Sequence, residues 1–331
     1  MEIKAADVAK LRQMTGAGMM DCKKALVEAN GDYERAQEII REKGKLVAAK
    51  RADRETTEGA VIAEVNGGKA VLVCLGCETD FVSKNAEFQS VAKSIADAAM
   101  ASFPADAEAL KACVLADGQT VEAAVTQQTG KTGEKHTLAY YDRLEAPYIA
   151  SYIHAINGKL GAIVAFNKEV PAEVGKGIAM QVASMNPVAV NKEAVPQNVI
   201  DNELTVAVEK TKEELVKKAV NSALEKAGIN PAHVDSEDHI ASNTAKGWLT
   251  EEQADKAREI IKTVSAEKAA NLPEAMINNI ANGRLNKFFK ENTLEEQEYQ
   301  MGDGKTSVKD FLAGIDKEAK VLAFKRFSLN D

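Results

Sequence analysis

The sequence predicts an α+β fold carrying an inserted all-helical arm. Three observations lead to it. A strand–turn–strand pattern occurs twice, each time followed by a stretch of helical period; three short helical patterns precede the first copy; and beyond Pro196 strands give way to long charged segments with helical spacing. The implied order is an N-terminal three-helix bundle with a basic linker (1–53), a first core subdomain (54–141), a related second core subdomain (142–199 and 273–331), and a helical-hairpin arm (200–272) inserted in the second.

In the bundle, Val8, Leu11 and Met14 form a helical stripe that stops at Thr15-Gly16-Ala17-Gly18, where two glycines permit a tight turn. Met20, Ala25, Leu26 and Ala29 mark a second helix that ends at Gly31. Asp32 is placed to cap a third, with Tyr33, Ala36, Ile39 and Ile40 inward and Gly44 closing it. So small a bundle resembles a ubiquitin-associated domain. Residues 43–54 turn basic and polar, which suits a linker.

The first core unit opens with residues 60–65, turns at Asn66-Gly67-Gly68 and returns through 69–77; Asn-Gly is a strong hairpin signal. Residues 148–156, the Asn157-Gly158 turn and residues 159–166 repeat the arrangement. Each hairpin precedes a helix, marked by Phe88, Val91, Ala92, Ile95 and Ala98 in the first copy and by Val174, Ile178 and Val182 in the second.

In the arm, Leu204, Val208, Leu215, Val216, Val220 and Leu224 are spaced for one face of a helix over 199–227. A second helix starts at Thr250, with Gln253 completing a capping box and Ala254, Ala257, Ile261 and Val264 inward. Asn271-Leu272-Pro273 ends the hairpin, another helix begins at Pro273, and residues 321–327 form a last strand able to rejoin the second subdomain.

Composition excludes several classes. With 331 residues, 45% of them hydrophobic, the chain can bury a substantial core. Its formal charge of −8 argues against the basic footprint that phosphate-backbone binding needs, so direct nucleic-acid binding is not expected. No run approaches a membrane span, Met1-Glu2-Ile3-Lys4 opens no signal or transit pattern, and the four cysteines fit a reducing compartment; the expected location is the cytoplasm, in a bacterial rather than an organellar setting.

The stretch Cys77-Glu78-Thr79-Asp80-Phe81-Val82-Ser83-Lys84-Asn85 sets one large aromatic among polar residues where a strand gives way to a helix. Phe81 is either a core aromatic, as burial statistics favour, or a plug presented to a partner. Asp80 also suits a loop-fixing role through nearby backbone N–H groups. Cys74-Leu75-Gly76-Cys77 is a lone pair of thiols on a strand, where that spacing points side chains to opposite faces, so no metal or redox centre is expected. His233, Asp235, Asp238 and His239 offer either a divalent-ion site or a solvated polar loop. Gly130-Lys131-Thr132 and Gly304-Lys305-Thr306 imitate a phosphate loop, but Val125 and Tyr299 stand where its first glycine belongs. His136 and His154 have no evident nucleophile partner, and no covalent catalysis or cofactor is expected.

Two segments carry a family resemblance. Thr79-Asp80-Phe81-Val82 after Cys77-Glu78, and the run from Thr15 through Met19, Met20 and Lys23 to Leu26, resemble the bacterial elongation factor Ts family; residues 148–166 and Gly283-Arg284-Leu285-Asn286-Lys287-Phe288-Phe289 are similar to it more loosely, and the arm least. The resemblance implies a guanine nucleotide exchange factor for elongation factor Tu, in its GDP-bound and nucleotide-free forms. Thr79, Asp80, Phe81 and Val82 would disturb the partner's Mg²⁺ and phosphate site. Arg12, Met19, Met20 and Lys23 would touch its nucleotide domain, and His154 and Met301 more distant parts. The resemblance further implies a possible homodimer through the arm. Departures from the pattern are a longer arm, Gln300 before Met301 where an apolar residue is common, and no extra C-terminal helical module. The competing expectation is a binding scaffold without exchange activity, whose partner binding resides in residues 1–53 alone.

Overall fold

The computed structural model describes residues 3–156 and 158–331; Asn157 of the second predicted turn lies outside them. Along the chain run α1 (Ala5–Thr15), α2 (Met19–Glu28), α3 (Tyr33–Lys50), β1 (Glu58–Asn66), β2 (Lys69–Cys77), α4 (Asp80–Ser83), α5 (Ala86–Ser102), α6 (Ala107–Lys111), α7 (Val121–Thr132), β3 (Thr137–Glu145), β4 (Tyr148–Ile153), β5 (Leu160–Phe166) and α8 (Ala172–Met185). There follow α9 (Gln197–Lys226), α10 (Glu237–Ala245), α11 (Glu251–Ala270), α12 (Glu274–Asn292), α13 (Val308–Ile315) and β6 (Val321–Ser328). The α+β prediction holds, and the elements form two compact units, Met1–Val190 with Gln297–Asp331, and Asn191–Glu296.

The first unit opens with the three-helix bundle, whose core is Leu11, Cys22, Leu26 and Ala36, all fully buried. Cys22 takes the inward place assigned from the sequence to Met20, which is exposed. α1 stops where Gly16 turns left-handed (φ 68°), and its N–H donates to the Arg12 carbonyl at 2.7 Å. Asp32 caps α3 by accepting from the Arg35 N–H at 2.9 Å. Gly44 does not close that helix. α3 runs through it to Lys50, taking up most of the predicted linker, because buried Gly44 faces Gly130 of α7: a Cβ built on Gly130 would sit 2.9 Å from the Gly44 Cα. The two glycines let the helix backbones meet.

Two three-stranded antiparallel sheets, β1-β2-β3 and β4-β5-β6, complete this unit. β1 and β2 join through Gly67 and Gly68, both at positive φ (55° and 82°), the requirement of a two-residue hairpin turn that follows the strand twist. Alternation along β2 builds two cores. Val71, Val73, Leu75 and Cys77 pack under α5, α6 and α7, while Ala70, Leu72 and Cys74 meet Ile149, Ile163 and Ala165 of the other sheet. The sheets thus pack face to face, joined also by Tyr140 stacked on Phe327 with centroids 4.5 Å apart. α8 covers the outer face of the second sheet, burying Ile178 and Val182. β6 returns to pair with β5, as the sequence predicts.

In the second unit α9 packs along α11 and α12. Val220, Leu224, Ile229, Val234, Ile240 and Leu249 form its main core, and the predicted capping box at Thr250 and Gln253 is present, with hydrogen bonds of 3.0 and 3.1 Å. Among the described residues no helix is long and apolar enough to cross a membrane.

Candidate functional site

Phe81 lies on α4, a single helical turn between β2 and α5, and the residue is 86% exposed. A satisfied core aromatic is thereby ruled out. An isolated turn of helix does not hold itself together, so the surroundings must hold α4. Below it, Val82 is half-buried against the α5 core, Ser83 is buried with its hydroxyl donating to the Asp80 carbonyl at 3.2 Å, and Gln89 Nε2 donates to the Ser83 carbonyl at 2.6 Å. Asn85 caps the following α5 by accepting from the Glu87 N–H at 2.8 Å.

At its start, α4 is held by a carboxylate that the sequence did not single out. Thr79 makes no side-chain cap to its own helix; its N–H and hydroxyl both donate to Glu134, at 3.1 and 2.6 Å. Glu78 reciprocates, accepting from the Lys135 N–H at 2.6 Å and from Arg51 Nη1 at 2.8 and 2.9 Å. The Lys135 amide, then Arg51, hold the Glu78 carboxyl below its usual range. Asp80 pairs with Lys84 Nζ at 2.7 Å, and this ion pair, with smaller help from the backbone N–H groups of Phe81 and Asp80 itself, lowers its pKa and leaves a charged group beside the exposed ring.

The other predicted contact residues sit on separate elements. Met19, Met20 and Lys23 occupy one side of α2 with exposed side chains, Met19 at 44% and Met20 at 63%, and Arg12 is exposed on α1. A link joins this turn to the Phe81 region: Lys131 passes against Gly16 and donates to Glu87 Oε1, at the start of α5, at 2.6 Å. His154 follows β4, half-buried, sharing a 2.9 Å hydrogen bond through Nδ1 with the Tyr152 hydroxyl. Met301, 58% exposed, sits in a turn whose neighbour Gln300 donates its N–H to buried Gln181 at 3.0 Å.

The remaining motifs resolve in structural terms. Cys74 and Cys77 face different cores, and burial pushes the Cys77 thiol up to about 12 and that of Cys74 up as well, away from reactive thiolate. Gly130-Lys131-Thr132 is helical, and the Asp303 carboxylate already accepts the N–H groups of Lys305 (3.0 Å) and Thr306 (2.8 Å) that a phosphate would need. Near the arm's α10, Asp235 pairs with His239 while His233 packs on Trp248. Among the described residues no group of three or more potential metal ligands comes together.

Comparison with known proteins finds relatives over the full length of the chain. The family model described as elongation factor TS matches residues 78–228 and 216–331, beginning at Glu78 of the brace. Among curated relatives, elongation factor Ts of Phocaeicola vulgatus is 54% identical over 329 residues, covering 99% of both chains. That of Bacteroides thetaiotaomicron is 53% identical with the same coverage, and that of Porphyromonas gingivalis 41% identical over 330 residues, covering 100% of this chain and 99% of its own. Identity of that order across full length leaves one reading: the chain belongs to the elongation factor Ts family of translation elongation factors.

Proposed function

We propose that the chain is a guanine nucleotide exchange factor that binds elongation factor Tu·GDP and opens the partner's grip on Mg²⁺ and phosphates. The observation that carries this reading is the Phe81 side chain, almost fully in water on a helical turn held at Thr79 and at Ser83. Phe81 enters a pocket that is closed while Mg²⁺ and GDP are in place, Asp80 brings its charge beside the metal, and Thr79 and Val82 anchor the turn. Arg12, Met19, Met20 and Lys23 form a second contact, where flexible thioethers follow an uneven surface. His154 and Met301 supply further ones.

The action is negative coupling without a covalent step: factor and nucleotide each lower the other's affinity by one common factor. A factor with equal affinity for both partner states would shift nothing, so the pocket must favour the nucleotide-free form. GTP then rebinds and expels the factor. The test is release of fluorescent GDP from elongation factor Tu with this chain in substoichiometric amount. Many turnovers of accelerated release are expected; an unchanged spontaneous rate rejects the reading.

A further inference from the structure

We infer that Glu134 is a positioning residue for the Phe81 turn, acting with Glu78 as a crossed pair of carboxylates; the inference rests on the exchange reading above. Phe81 is 86% exposed, so little packing holds the ring and its position is set mainly by the backbone at Thr79 and Ser83. At Thr79 a single carboxylate takes both polar hydrogens of one residue, the N–H and the hydroxyl, which fixes the backbone and the side-chain rotamer together. Glu134 is itself immobilised: its N–H donates to Thr132 Oγ1 at 3.1 Å, and its carbonyl accepts from His136 Nδ1 at 3.0 Å. Neighbouring residues on the two strand ends thus exchange bonds in both directions, Glu134 to Thr79 and Glu78 to Lys135. Arg51 brings the end of α3 into the same knot.

A plug that must enter a pocket held closed by bound nucleotide loses rate when its mean position drifts, even where overall attraction persists through other contacts. The consequence is a split between two measured quantities. Glu134→Ala lowers the limiting rate of GDP release from elongation factor Tu by about tenfold or more. The half-saturating concentration, governed by the separate α2 contact, moves by less than about threefold. Glu134→Gln keeps one acceptor oxygen and recovers part of the rate. Thr79→Val costs nothing further in the Glu134→Ala background, because its hydroxyl has then already lost its acceptor.

The experiment is a saturation series of GDP-release rates for wild type, the three single variants and the double variant, with urea unfolding to establish that each is folded. Amide hydrogen exchange at residues 78–85 of the free chain accompanies it, where Glu134→Ala should speed exchange of the Thr79 N–H. Unchanged limiting rate in folded Glu134→Ala, additive losses in the double variant, or unaltered Thr79 exchange overturns the inference. If Glu134→Ala fails to fold, Glu134→Gln and Thr79→Val decide by the same split. A wild-type chain without exchange activity overturns the functional reading, and this inference with it, whatever the hydrogen exchange shows.

Discussion

Truncation of Phe81 to alanine separates function from folding. Because the residue is 86% exposed in the free chain, Phe81→Ala removes almost no internal packing, and the unfolding free energy should stay within about 0.5 kcal/mol of wild type. Nearly all of the ring's apolar surface is therefore still in water and available to be hidden on docking, a transfer worth roughly 1.5–3 kcal/mol. At about 1.4 kcal/mol per factor of ten, the proposed second-order acceleration of GDP release from elongation factor Tu should fall about 10- to 150-fold. Phe81→Leu retains much of that surface and should lose only a few-fold. Stopped-flow fluorescence of labelled GDP reads the rates, and urea unfolding monitored by circular dichroism reads the fold. Wild-type acceleration by a folded Phe81→Ala chain would refute the plug, and a large loss of stability would refute the exposure on which the calculation stands.

Three further outcomes follow from packing and ionisation. Gly130→Ala gains about 0.5–1 kcal/mol in helix propensity but places a Cβ 2.9 Å from the Gly44 Cα, an overpacking cost of about 1–3 kcal/mol, so urea unfolding should show a net loss of about 1 kcal/mol and Gly130→Leu a larger one. Gly177→Ala sets a Cβ 2.1 Å from the hydroxyl of Tyr299, whose ring is stacked on Phe311, and should shift the Met301 turn, read as chemical-shift changes at residues 299–303 in the otherwise folded chain. His136 is buried beside Phe88, and desolvation lowers its pKa from 6.5. Between that value and its folded pKa the unfolded chain binds more protons, so its contribution to stability, complete above pH 6.5, is lost as pH falls through this window. His136→Gln should therefore flatten the loss of stability between pH 7.5 and 5.5, and an identical pH slope in the two proteins would contradict this.

Local patterns were the readable part of the sequence. The Gly67-Gly68 hairpin, the Asp32 cap and the Thr250–Gln253 box each rest on residues a few positions apart, and each stands in the structure. α7 went unread because its inward residues include Ala124 and Gly130, small side chains that suit close helix contact but leave little hydrophobic stripe. Gly44 misled for the same reason: a glycine near a helix end resembles a terminator, and only its distant partner shows that it is there for proximity. At the site, the exposure of Phe81 was legible from its polar neighbours together with the family resemblance. The brace was not, since Thr79 meets Glu134 across 55 positions and Glu78 meets Lys135 across 57, and no local spacing signals a carboxylate so remote.

The meeting of α3 with α7 has a mechanical consequence. Backbone against backbone leaves no side chain there to yield, and the same two helices lead, through Lys131 and Arg51, to both ends of the Phe81 region. The interval between the methionines of α2 and the aromatic tip is thereby preset, like the jaws of a fixed gauge. Any protein that engages both at once must match that gauge, and one whose two patches are spaced differently when loaded with nucleotide is the body that has to deform.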